Sequence, residues 1–253
     1  MLKLLCGLLT AGLFLAWASL ALADDAAKSI IEKAIKAHGG AENLAKLKVR
    51  QEKTETKYDK MSTFTMDSLI QLPDRAKYAA RGSNWTFIEV INGDKIWTDA
   101  DGKPGETTAE QLKHGKELLH ENYVVTLAPL LKDKRFKLSP LTEIKVNDRP
   151  ALGVKVTAKD HADVDLYFDK DTGLLVKSEA TRPFDGQDIV MSTVYSEYKE
   201  TDGLKWPRRK VDYWDGKQVR ESEITELRFL DKIDDSEFAK PISISEKGSS
   251  SMK

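Results

Sequence analysis

The side chains best suited to chemistry are four histidines and the carboxylates near them. His114, Glu117, His120 and Glu121 fall in one segment, which reads as helix. His114 and His120 are six positions apart and do not share a helix face. Pairs such as His114 with Glu117 could meet, but one pair is too few ligands for a metal, and a solvated helix face is the plainer reading. His161, Asp163 and Asp165 alternate in a second segment and would share one side of a strand. That spacing could suit a metal or an acid–base site. Val164, Leu166 and Phe168 occupy the alternate positions, as on a half-buried strand with its polar side in water. Asp99-Ala-Asp101-Gly102 has the start of a calcium loop, but the glycine falls at the fourth position instead of the sixth, and a third ligand is missing. It reads as a turn.

No G-x-S-x-G elbow, H-E-x-x-H, P-loop or G-x-G-x-x-G occurs. Nothing supplies an activated nucleophile or a clustered acid–base pair, so the sequence reads as a binder and not an enzyme. No catalytic residue, metal or cofactor is assigned.

The elements around these residues start with a leader. Lys3, an apolar run over Leu4–Leu22 and the Ala21-Leu22-Ala23 end have the layout of a cleaved secretory signal, residues 1–23. Cleavage would remove Cys6, the only cysteine, and leave no disulfide or thiolate. The chain is then expected to be soluble and periplasmic, with one β domain over residues 24–243 and a disordered tail over 244–253. Lys plus Arg number 40 against 41 Asp plus Glu, which lacks the basic excess of a nucleic-acid binder.

Ala27, Ile30, Ile31, Ala34 and Ile35 form one stripe of an N-terminal helix that Gly39-Gly40 should stop. After Val49 the pattern turns to strands, with Asn92-Gly93 as the sharpest hairpin signal. Thr107 and Glu110 fit a capping box. Leu112, Leu119, Tyr123, Leu127 and Leu130 or Leu131 follow at near-helical spacing, which predicts a helical insertion of about twenty residues. Strands resume from Phe136 to Phe229, punctuated by Asp-Gly turns, giving about ten or eleven strands in an antiparallel meander. Ile189–Tyr198 and Gln218–Phe229 are long enough to require a twisted sheet.

Three stretches carry a family likeness: Ile35-Lys-Ala-His-Gly-Gly-Ala-Glu-Asn-Leu44, Asp169-Lys-Asp-Thr-Gly-Leu-Leu-Val-Lys177, and Tyr195-Ser-Glu-Tyr-Lys-Glu-Thr-Asp-Gly-Leu-Lys-Trp-Pro207. With the element order, they make the chain resemble the LolA/LolB-like periplasmic lipoprotein-carrier superfamily. The resemblance implies a mainly β (α+β) fold, an unclosed antiparallel β-barrel with an N-terminal helix and a central helical lid. It also implies an apolar concave side that shelters a lipid or lipoprotein acyl group, and membrane-associated partner proteins. On that reading Trp85, Phe87 and Trp97 belong to the cavity wall, Leu119, Tyr123 and Leu127 to the lid, and Arg75 to the mouth. The alternative is an envelope protein-interaction or regulatory module with a filled core and no ligand.

Overall fold

The computed structural model describes residues 25–59, 62–184 and 186–241. The expected leader (1–23) and tail (244–253) lie outside the described residues.

The first helix, α1, covers residues 25–37 and buries Ala27, Ile31 and Ala34 completely, as its apolar stripe requires. It stops where Gly39 and Gly40 take φ of 116° and 87°, a region that disfavours any residue with a Cβ. A single turn, α2 (Ala41–Leu44), follows.

Six strands come next: β1 (Val49–Tyr58), β2 (Phe64–Gln71), β3 (Arg75–Arg81), β4 (Thr86–Asn92), β5 (Lys95–Ala100) and β6 (Lys103–Gly105). Helix α3 (Ala109–Val125) then leads to β7 (Lys137–Val146), β8 (Arg149–Thr157), β9 (Val164–Asp169) and β10 (Leu175–Phe184). The last strands are β11 (Gln187–Thr201), β12 (Leu204–Trp214) and β13 (Lys217–Leu230), before a 3-10 turn at Asp235–Phe238. All thirteen form one sheet in the order β6-β5-β4-β3-β2-β1-β13-β12-β11-β10-β9-β8-β7. Each pairing is antiparallel. The sheet is therefore unclosed, with β6 and β7 as edges and α3 carrying the chain from one edge to the other.

Two sequence expectations need correction. Among the described residues there are thirteen strands, not ten or eleven; β6, only Lys-Pro-Gly, is too short to show a period. The capping box is Thr108 with Gln111, one residue beyond the expected pair. The Thr107 hydroxyl donates instead to the carbonyl of Ile96 at 3.2 Å, tying the helix start to β5.

One sheet face, the inner one, carries both long helices. There α1, the last turn of α3 and the residues after it pack on β8–β11 through Ile31, Val124, Leu127, Val154, Leu166 and Phe168. In the other half Leu119 packs on Ile70, Ala76, Ile91 and Ile96. Gly115 permits this approach, since a Cβ there would lie 2.9 Å from Ile91 Cδ1. On the outer face the segment after β13 folds over Val49, Leu69 and Val90 and buries Phe238 completely. Removing a Phe side chain from water contributes about 2–3 kcal/mol.

The three stretches that carry the family likeness meet at His38. Its Nδ1–H donates to Ala34 O at 2.8 Å, and its Nε2 accepts from the Leu175 amide at 3.4 Å. Its carbonyl accepts from the Lys205 amide at 3.1 Å, and its ring stands edge-on to Tyr198. The Tyr198 hydroxyl in turn donates to Leu175 O at 2.5 Å. Gly39 lies so close to Gly203 that a Cβ would meet its carbonyl oxygen at 2.1 Å. Burial pushes the His38 pKa down to about 4, so it serves as a neutral staple between α1 and β10–β12.

Candidate functional site

Helix α3 divides the space above the sheet. Leu118, Glu121, Asn122 and Val125 face one cavity, while Lys116, Leu119, His120 and Tyr123 face another. The spacing of i, i+3, i+4 and i+7 puts each set on its own side of the helix.

The first cavity, between α3 and β10–β13 with β1, measures about 120 Å³. That equals roughly four waters at about 30 Å³ each, and lies below the ~300 Å³ at which small-molecule sites begin. Paired charges occupy the rest of the space. Arg50 Nε lies 3.0 Å and Lys210 Nζ 3.1 Å from the Glu52 carboxylate. Trp206 Nε1–H donates to the same carboxylate at 2.9 Å, and the Arg50 guanidinium lies over the Trp206 ring. Arg50 also donates to Asn122 Oδ1 of α3 at 2.7 Å. Burial alone would raise the Glu52 pKa, but Lys210 and Arg50 outweigh it and hold it down at about 2. Arg220 pairs with Asp212, which also accepts from Thr193 Oγ1 at 2.6 Å. Arg182 pairs with Glu121 of α3, and the Ser178 hydroxyl donates to that carboxylate at 2.8 Å. The inner surface under the helix is thus an ion-paired network and not an apolar chamber.

The second cavity is a groove of about 440 Å³ on the other side of α3, within the size range of ligand sites. The β2–β3 and β4–β5 turns (Pro73, Asp74, Gly93, Asp94) border it on one side. The β8–β9 loop (Ala158, Lys159, His161) and Arg135 with Phe136 border it on the other. Its wall is an aromatic series. His161 stacks on His120 at 4.0 Å with rings 4° from parallel, His120 stacks on Phe136, and Phe136 tilts onto Tyr123. Glu117, on the same helix, accepts from His161 Nδ1–H at 3.2 Å and from the Ala162 amide at 2.9 Å, which docks the loop against α3. Burial, then the neighbouring His161, lowers the His120 pKa to about 4.

Face-to-face imidazoles direct their lone pairs along parallel planes, so His120 and His161 do not converge on one ion. Among the described residues no group of three His, Cys, Asp or Glu side chains is placed to hold a metal. The two histidine segments that the sequence treats separately therefore meet, but as a stack. No local pattern signals this, because the whole of β7 and β8 separates the partners.

The residues expected to line the cavity are scattered. Leu119 and Tyr123 do border the groove. Leu127 is past the helix, at φ 62°, and buried in the main core. Trp97 is on the outer face with Val90, Leu69 and Phe238. Arg75 is also outside, paired with Asp235 at 2.6 Å and set over the Phe238 ring. Trp85 caps the β3–β4 turn against Phe64, and Phe87 is half-exposed far from the groove.

Among solved structures, the chain is similar to a LolA superfamily protein from Nitrosomonas europaea (TM-score 0.55, 14% identity, covering 85% of this chain and 97% of that one). It is also similar to a domain described as an outer membrane lipoprotein-sorting protein from Vibrio parahaemolyticus (TM-score 0.52, 12% identity, 85% and 97%). A DUF1329 family protein from Desulfovibrio piger matches at TM-score 0.52 and 9% identity, over 84% and 97%. No family model and no curated protein matches the chain. The fold is therefore LolA-like, and the likeness extends over nearly the full length of those structures. Among the described residues no helix is long and apolar enough to cross a membrane.

Proposed function

We propose that this chain is an extracytoplasmic, periplasmic carrier or binder of a hydrophobic ligand such as a lipid or lipoprotein acyl chain, and that the ligand lies in the groove beside α3. The observation that carries the reading is the groove itself: about 440 Å³, floored by Leu119, Tyr123 and Phe136, and open between two sets of turns. The LolA-like fold and the sequence of the leader support it. Each methylene moved from water into such a wall contributes about 0.8 kcal/mol, so binding needs no catalytic group.

A second reading has its own observation. The ion-paired interior leaves only about 120 Å³ beneath the helix, as expected of a protein-interaction module whose core is already filled. Native mass spectrometry on protein purified without detergent, followed by uptake of a fluorescent fatty acid, separates the two. A bound acyl species at one per chain, or saturable uptake that Tyr123→Ala weakens, supports the carrier. A clean apo mass with no uptake sinks it and favours the interaction module.

A further inference from the structure

We propose that the groove recognises an anionic head group, carboxylate or phosphate, of an amphiphilic ligand, through His120 Nε2, Arg135 and Lys159. This rests on the reading of the groove as the ligand site. His120 is only 7% exposed, and its Nε2 is buried with no hydrogen-bond partner. An orphaned polar atom in a buried position costs free energy unless something satisfies it, and this side chain borders the groove. The charges around it favour an anion. Lys159 is exposed with no carboxylate partner among the described residues, while Lys116 and Arg135 are paired with Asp94 and Asp133 respectively. The residues that border the groove include three cations, Lys116, Arg135 and Lys159, against two carboxylates, Asp74 and Asp94. Burial and then His161 oppose protonation of His120, Glu117 favours it, and Arg182 and Arg135 oppose it more weakly. The apolar part of the ligand then lies along Leu119, Tyr123 and Phe136, and the head sits at the loop side.

Isothermal titration calorimetry tests this with dodecanoate, dodecyl phosphate, 1-dodecanol and inorganic phosphate. The anionic amphiphiles should bind about tenfold or more tighter than the alcohol, the scale of one charge-assisted hydrogen bond. His120→Phe keeps the aromatic stack and removes Nε2. The surface pair Arg135→Gln with Lys159→Ala leaves the core untouched and covers the case in which His120→Phe fails to fold. Both should bring the anions to the level that the same variant shows for the alcohol. Equal binding of all three amphiphiles overturns the head-group claim and leaves the carrier reading intact. A preference that persists in both variants overturns the location. Inorganic phosphate binding as tightly as dodecyl phosphate would make this a free-anion site and overturn the amphiphile. No binding of any probe overturns this inference and the carrier reading together.

Discussion

The two sides of α3 are built from neighbouring residues of one helix and yet differ in kind. Toward β12 and β13 the helix meets Glu52 paired with Arg50 and Lys210, and Asp212 paired with Arg220, which leave room for a few waters. Toward the β8–β9 loop it meets rings and aliphatic carbons around a larger opening, with one polar atom left unsatisfied. A helix over a sheet therefore does not by itself make an apolar chamber beneath it. The side chains on the strands decide which side is filled and which is free to receive a ligand.

The largest effect should come from breaking the filled side. Glu52→Leu leaves Arg50 and Lys210 buried without their shared counter-charge and should cost about 3–5 kcal/mol in urea denaturation. Replacing Arg50, Glu52 and Lys210 together by Met, Leu and Met should restore most of that stability. If the triple variant also gained uptake of a fluorescent fatty acid, the ionic network would be what excludes ligand from the interior.

Acid comes next. His38 titrates at 6.5 when unfolded and at about 4 when folded. Below 6.5 the unfolded chain takes up a proton that the folded chain refuses, so stability is full above 6.5. His38 alone should take away about 3 kcal/mol by pH 4, and His120, also lowered to about 4, adds to the loss in the same window. Glu52, whose folded pKa is lowered, adds its own loss only from about 4.5 down to about 2. Urea midpoints from pH 7 to 4 should decline for the wild type and stay flatter for His38→Gln. An equal slope in both would remove His38 as the cause.

On the open side, Tyr123→Ala should weaken fatty-acid binding about tenfold at a stability cost near 1 kcal/mol, while Leu118→Ala, facing the filled side, should leave binding unchanged. Equal losses from both would erase the distinction between the two faces of α3. Leu119→Asp is a poor probe of the groove, because Leu119 is also core to the β2–β5 half and an aspartate there would unfold it. The smallest effect belongs to the outer face. Arg75→Ala breaks a largely exposed ion pair with Asp235 and should change stability by under about 1 kcal/mol, with binding intact.

Local signals in the sequence were enough for the helices and for most of the strands. Asn92-Gly93 does mark the β4–β5 hairpin, although Gly93 (φ 59°) and Asp94 form the turn and Asn92 closes the strand. The three family-like stretches converge on the His38 staple. The wall was harder to read because β4 and β5 are apolar on both faces. Ile96 and Trp97 are neighbours with opposite fates, Ile96 meeting Leu119 and Trp97 meeting a Phe238 that lies far along the chain. Period two assigns them to different faces but cannot say which is inner until both coverings are known. The charge-filled interior was hidden for a related reason. Arg50-Gln-Glu52 and Lys210-Val-Asp212 look like ordinary solvent-facing alternation, and only the β1–β13 and β12–β13 pairings turn them toward each other.

An unclosed sheet leaves two rows of backbone donors and acceptors unused, and another copy of the chain could in principle add a strand to either. Edge β6 is only three residues long and reads Lys103-Pro104-Gly105. Edge β7 holds Pro140 among Lys137, Glu143 and Lys145, and its register with β8 breaks between Leu141 and Ile144. Proline offers no N–H to an incoming strand, lysines penalise burial there, and a broken register prevents a long continuous ladder. The openness that leaves space for the groove is thus kept from becoming a template for polymerisation.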